Sequence, residues 1–301
     1  MKYSPIAIFL YNRPEKTLSC LNSISANINF KDSPLYIFID GPKKSDDKIK
    51  INEIKKIISS FNFMNLVEIN FKETNIGLAK SIFFGVNYVL SKHDTIIVLE
   101  DDLTFNKGFL IYMNNCLDKY RSKNIYQVCG YLWGNNMSDF INTPYIIPNI
   151  NSWGWATWKE KWIEFELGII KKDELKNFDS TDINKFNLHG SYDYFKILRK
   201  HFKGKVDSWA IQWYYHVFKN NGFSVYPNSS LVINGGMDGS GTHTISRKYT
   251  SQVSEDLKIS YPDKLTFNVD LYRRFCVELK KINNETLLSK ILSRVLRYLR
   301  K

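Results

Sequence analysis

Asp94-Thr-Ile-Ile-Val-Leu-Glu-Asp-Asp-Leu103 is the stretch on which the reading of this chain turns. Its apolar, β-branched half has the pattern of a strand buried on both faces. Glu100, Asp101 and Asp102 then follow without a spacer. Three adjacent carboxylates repel one another and are costly to desolvate, so positive charge is expected where this strand ends.

Outward from that strand, the same grammar repeats. Ile6–Leu10 and Leu35–Ile39 are two further buried runs, Val67–Phe71 a shorter one, and Tyr126–Cys129 a later one. Helical stretches separate them. Pro14 suits a first helical position, and Glu15 favours the helix dipole. Lys48–Phe61 carries Ile51, Ile54, Ile57 and Ile58 on one side, while Asn75–Leu90 and Lys107–Tyr120 are also helical. Strands alternating with helices predict an α/β fold, a mostly parallel sheet flanked by helices. Ligands of such sheets sit at the carboxyl ends of the strands. Leu10-Tyr-Asn12-Arg13, Asp40 and Glu100-Asp101-Asp102 all lie at such ends. The second half is aromatic-rich and loop-rich, without repeats or low-complexity linkers, which predicts one continuous body.

Bulk properties narrow the class. The chain has 301 residues, with 44% hydrophobic and 15% aromatic content, ample for a packed core. Four dispersed cysteines, with no C-x-x-C spacing, argue against a zinc site or disulfide framework and suit a reducing cytosol. Pro5–Leu10 is too short for a signal peptide, and no apolar run reaches the roughly 20 residues that span a bilayer. A cytoplasmic protein, at most peripheral to the membrane, is therefore expected. The net charge of +12 invites a nucleic-acid reading, but no helix-turn-helix, zinc-finger or RNP pattern accompanies it. Anionic sugar nucleotides or anionic lipids are better partners for that charge.

Carboxylates clustered at a sheet's ligand edge make sense if Mg²⁺ or Mn²⁺ bridges one or two of them to phosphate oxygens. The bland alternative is an acidic loop capping the next helix. Here "IIVLEDDL", followed by a helix and then "QVCGYLWG", resembles the inverting GT-A glycosyltransferases of the N-acetylglucosaminyltransferase I type, over roughly residues 6–243. The resemblance implies a GT-A (Rossmann-like) fold and a metal-dependent transfer from a nucleotide-sugar, a UDP-sugar by the family's habit. It implies Asp102 as the metal ligand, with Glu100 and Asp101 contacting sugar and ribose. "IAIFLYNRPEKTLSCLNSI" resembles the first strand and donor turn, so Leu10, Asn12 and Arg13 are donor candidates. "IFIDG" resembles the strand whose aspartate holds the uracil, here Asp40. "TNIGLAKSI" resembles a segment supplying a basic donor-site residue, best matched by Lys80, where the family has histidine.

"NSWGWATWKEKW" packs four tryptophans into residues 151–162. Aromatic faces stack on sugar rings, although tryptophans also fill cores. By resemblance, Gly154 and Trp155 belong near the donor sugar, with Trp153 and Trp209 toward the acceptor. "KVDSWAIQW" resembles the segment supplying the catalytic base, which makes Asp207 the candidate; its structural alternative is a helix N-cap. "NGGMDGSGTH" resembles a loop that orders over the bound donor, with Gly236, Asp238, Gly239, Gly241 and His243 as candidates. The chain then divides into a nucleotide-sugar-binding half, 1–130, an acceptor-binding and catalytic half, 131–245, and a C-terminal extension, 246–301.

Residues 285–301 are amphipathic: Leu288, Ile291, Leu292, Val295 and Leu299 oppose Lys290, Arg294, Arg297 and Lys301. The pattern fits an in-plane helix on an anionic membrane, or one docked on protein. The expected function is glycosyl transfer to a glycan or lipid-linked glycan acceptor in bacterial surface polysaccharide synthesis, without nucleic acid. A metal-dependent phosphohydrolase or nuclease, or a non-enzymatic carbohydrate-binding protein, are the rivals.

Overall fold

The computed structural model describes residues 3–61, 63, 65–134, 137–168, 172–238 and 259–299, with 172, 237–238 and 285–299 as backbone only. The first half alternates as its sequence predicts. The order is β1 (Ile6–Leu10), α1 (Pro14–Ser25), β2 (Leu35–Ile39), α2 (Ser45–Ser60), β3 (Leu66–Phe71), α3 (Leu78–Lys92) and β4 (Thr95–Glu100). After the acids come β5 (Leu103–Phe105), α4 (Phe109–Lys119), β6 (Ile125–Cys129), β7 (Tyr145–Ile147) and β8 (Trp155–Trp158). The chain continues through α5 (Lys159–Trp162), α6 (Ser180–Phe186), α7 (Tyr194–Phe202), α8 (Trp209–Lys219), β9 (Phe223–Tyr226), β10 (Val232–Asn234) and α9 (Val269–Leu299).

Eight strands form one sheet in the order β3-β2-β1-β4-β8-β6-β9-β7, and β10 pairs with β5 in a small ribbon beside it. β3, β2, β1 and β4 run parallel. β8 enters antiparallel between β4 and β6, β9 runs parallel to β6, and β7 closes the far edge antiparallel.

Alternation along the strands builds a core on each face of this sheet. Ile6, Ile8 and Leu10, with Ile97 and Leu99, join the buried apolar residues of α1, α2 and α4. Ala7, Phe9, Ile96 and Val98 face the other way, against α3 and α8. A third cluster seats the start of α9, through Leu271, Phe275 and Leu279, on the β7–β9 edge. Among the described residues no helix is long and apolar enough to cross a membrane. The amphipathic pattern of 285–301 falls on side chains outside the described ones.

The tryptophan-rich stretch departs from expectation. It is not a pocket-lining loop: Trp155–Trp158 is β8, a central strand whose four residues are buried. An aromatic-rich run without alternating polarity is what a strand covered on both faces requires.

Candidate active site

The positive charge expected at the end of β4 is Arg13. It leaves β1 just ahead of Pro14, and its guanidinium reaches both acids. Nη2 and Nε engage Asp101, the latter at 3.3 Å, and Nη1 donates to Asp102 Oδ2 at 2.8 Å. Burial works against the arginine's charge, but Asp101 and Asp102 outweigh it and hold its pKa well above the usual value. Burial also pushes the Asp101 carboxyl up to about 6, with Arg13 pulling the other way. Arg13 makes no hydrogen bond to Glu100. Burial, then the charges of Asp102 and Asp101, push it up to about 8, with Arg13 pulling the other way.

The acids after β2 are spent differently. Asp40 Oδ1 accepts from the N–H groups of Gly41 and Ile76, both at 2.9 Å. Its Oδ2 accepts from Gly77 N–H at 3.0 Å and from the Asn75 amide at 2.9 Å. Four donors fill the carboxylate, so Asp40 ties the end of β2 to the turn that opens α3. Asp40 thereby shapes the wall of the site. Asp47, in the first turn of α2, is an anchor that sequence reading missed. It accepts from Tyr11 Oη and Asn12 Nδ2, each at 2.7 Å, and from the N–H groups of Lys43 and Lys44 at 3.0 and 2.8 Å. Those bonds, led by Asn12 and Tyr11, hold its pKa down at about 2. The only signal in the sequence was an acid at the start of a helix after "GPKK", which reads as an ordinary dipole partner.

These pieces surround a cleft of about 600 Å³ at the carboxyl ends of β1, β2 and β4. Leu10, Asn12, Arg13, Asp40, Glu100 and Asp101 line one side, Leu78 and Ser81 of α3 another, and Lys43, Lys205 and Asp207 the rim. The chain thus brings Asp207 to the acids from more than a hundred positions away. Asp207 is exposed, and the helix cap expected of it as the alternative belongs to its neighbour: Ser208 Oγ accepts from Ile211 N–H. Its carboxylate is therefore not spent on the start of α8.

Other candidates fall elsewhere. Trp155 is fully buried and its ring stacks on Trp209 at 5.2 Å, inside the core between the sheet and α8. Both rings are enclosed by core side chains, so neither offers a face to the cleft, which corrects ring stacking by Trp155 on the donor and by Trp209 on the acceptor. Lys80 is exposed on α3 while Leu78, Ala79 and Ser81 line the cleft, so Lys43 and Lys205 replace it as the cleft's lysines. Gly154 adopts φ +64 at the turn into β8, and a Cβ there would come within 2.9 Å of Val232, so its role is backbone geometry. Trp153, by contrast, is half-buried and packs with Tyr131 and Trp133 at ring separations of 4.6 and 4.7 Å. Trp133, unnoticed in the sequence, thus joins it.

The glycine-rich loop begins on the acids. Gly235 N–H donates to the Asp102 carbonyl at 2.7 Å, and a Cβ on Gly236 would lie 2.3 Å from Asp102 Oδ2. Asp238 is described in its backbone only, and Gly239, Gly241 and His243 lie outside the described residues.

Among the described residues, no three His, Cys, Asp or Glu side chains converge as a metal cage. The donor set fits Mg²⁺ or Mn²⁺ in a narrower way. Arg13 binds one oxygen of Asp102, and among the described residues nothing else donates to Asp102 Oδ1. A hard cation that takes one carboxylate oxygen and completes its shell with phosphates and water suits that oxygen. Asp101 is already forked by Arg13, so Asp102 is the acid of the three best placed to take such a cation.

No family model matches the sequence, and no characterised protein matches it by sequence. Several solved structures resemble the chain over part of its length. One is a mannosyltransferase of Pyrobaculum calidifontis in complex with GDP-Man and Mn²⁺, at 11% identity and TM-score 0.40, covering 72% of this chain and 68% of that one. Another is S. aureus TarS 1-349, at 15% identity and TM-score 0.46, covering 79% of this chain and 61% of that one, less than two thirds of its length. A third is apo mouse xyloside xylosyltransferase 1, at 11% identity and TM-score 0.38, covering 71% and 81%. Likeness at this distance carries no information on chemistry.

Proposed function

We propose that this chain is a GT-A-type glycosyltransferase that moves a sugar from a nucleotide-sugar to a glycan acceptor with inversion. The observation that carries this reading is the convergence of Arg13, Glu100, Asp101 and Asp207 on one cleft at the sheet's ligand edge. Glu100 with its raised pKa, Asp101 held by the arginine fork and the exposed Asp207 are three acids in three different environments.

Asp207 acts as general base. As the acceptor oxygen attacks the anomeric carbon, its proton passes to the Asp207 carboxylate, and the bond from that carbon to the diphosphate breaks with its electron pair leaving on the phosphate. No protein nucleophile is required. Glu100 forms a hydrogen bond with a hydroxyl of the donor sugar. Arg13 holds Asp101 in place to accept from the ribose, and Lys43 and Lys205 at the rim attract the diphosphate. A divalent cation on Asp102 would offset charge developing on the leaving diphosphate. Trp153 and Trp133 offer ring faces to the acceptor. The donor base we take to be uracil, and the acceptor a glycan or lipid-linked glycan of a bacterial surface polysaccharide; both come from the resemblance of "IFIDG" and "IIVLEDDL".

Thermal-shift titration with UDP-, GDP- and dTDP-sugars, with Mn²⁺ or with chelator, tests this reading without turnover. A UDP-sugar should raise the melting temperature, the rise should need Mn²⁺, and Asp102→Ala should abolish it. Silence toward every nucleotide would overturn the proposal.

A further inference from the structure

The molecule carries a second, larger cavity of about 670 Å³ that the catalytic reading does not use. It lies at the other end of the sheet. Asn124, immediately before β6, and Phe223, the first residue of β9, line it, so it opens where those strands begin. The cleft holding Arg13 lies where strands end, and the two share no residue.

Its walls are aromatic and contributed by segments remote in sequence. On one side Phe223, Phe267, Tyr272 and His189 form a continuous row, with successive ring centroids 5.6, 5.5 and 5.8 Å apart. Phe267 is 40% exposed, a large apolar ring left facing solvent. On the other side Phe178 stacks between Tyr215 and Phe218, at 5.8 Å from each. Exposed amides of Asn124, Asn177 and Asn221 stand around the opening.

Charge decides the ligand class. Apart from His189, the charged groups of this cavity are Glu174 and Asp182 against Lys185 and Lys219. Two of them are already mutually satisfied: Glu174 Oε2 accepts from Lys219 Nζ at 2.7 Å and from Tyr215 Oη at 2.8 Å. On a chain of net charge +12, a cavity with equal numbers of acids and lysines is not built to attract phosphate or nucleotide. The solvent-facing ring of Phe267 for the apolar face of a pyranose, and planar amides that both donate and accept, match a neutral polyhydroxyl ligand. Such a ligand needs no counter-charge and could not be held by rings alone.

We infer that this cavity is a second saccharide-binding site, taking neutral sugar units of an oligosaccharide away from the catalytic cleft. It does not depend on the proposed transferase activity.

Saturation-transfer NMR on the full chain with chito-, cello- and mannotetraose tests it. At least one tetraose should bind, with affinity unchanged by saturating UDP-sugar and Mn²⁺. Phe267→Ala and Asn177→Ala, both at exposed positions, should each weaken it at least tenfold without changing nucleotide-induced thermal shifts. Should Phe267→Ala fail to fold, Asn177→Ala decides alone. Absence of binding to all three tetraoses, insensitivity to the substitutions, or displacement by the UDP-sugar would each overturn the inference. Saccharide binding that depends on Phe267 in a protein silent to every nucleotide would sink the transferase reading and leave this site standing.

Discussion

The acids after β2 and the acids after β4 flank the same central strand, yet they are treated in opposite ways. Asp40 and Asp47 are surrounded by donors, eight hydrogen bonds between them, drawn from the turns they fasten. Glu100, Asp101 and Asp102 share one arginine. Satisfied carboxylates fix the shape of the cleft, whereas among the under-compensated ones the pKa values of Glu100 and Asp101 are raised. Residue type cannot distinguish the two groups; the supply of N–H donors does.

Removing the single cation should have the largest effect. Arg13→Met leaves two carboxylates facing each other beside a third. Breaking a pair of this kind typically costs about 3–5 kcal/mol, and because the Arg13 side chain keeps 27% exposure, about 3 kcal/mol is expected from urea denaturation. Arg13→Lys keeps the charge and loses the fork, so it should recover only part of that stability. If Arg13→Met were as stable as the parent, the acid corner would not be the strained one.

Asp207→Asn probes chemistry without shape. A positioned general base contributes typically about 10²–10⁴-fold, and transfer to acceptor should fall by that factor. Melting temperature and nucleotide binding should not change, because Ser208 caps α8. Lowered stability would assign Asp207 to the fold instead.

Asp40→Asn should do the reverse. An amide NH₂ cannot accept from both donors of the oxygen it replaces, so a backbone N–H of the α3 turn is stranded. A buried donor left unpaired costs about 1–3 kcal/mol, readable as a lower melting temperature with the loss of donor affinity following from it.

How much of this was legible in the sequence follows from the same contrast. Strands β1, β2 and β4 could be read because each is a short apolar run ending in a polar residue, and their ends located Arg13, Asp40 and the acid triplet. What the sequence hid is pairing. Nothing local tells that Asp40 is filled by a turn 35 positions later, that Asp47 reaches back to Tyr11, or that Ser208 rather than Asp207 caps α8. β8 was hidden because tryptophan serves equally as a sugar platform and as core. Only its antiparallel place between β4 and β6 separates Trp155 from the half-buried Trp153.

The effect that tests the contrast within a single protein is the dependence of stability on pH. Asp47, held at about 2, is below its unfolded value near 4, so its contribution is present above pH 4 and is lost as pH falls through about 2. Glu100, raised to about 8, has the opposite sign: the folded state keeps a proton that the unfolded chain releases near pH 4.3, so its contribution is whole below that pH and disappears as pH rises through about 8. Asp101 adds a shorter fall between about 4 and 6. Melting temperature against pH should therefore show an acid limb that Asp47→Asn flattens. It should also show a decline from about pH 4 to 8 that Glu100→Gln flattens while leaving the acid limb in place. A single substitution that flattened both limbs would mean that the two acidic regions titrate as one network.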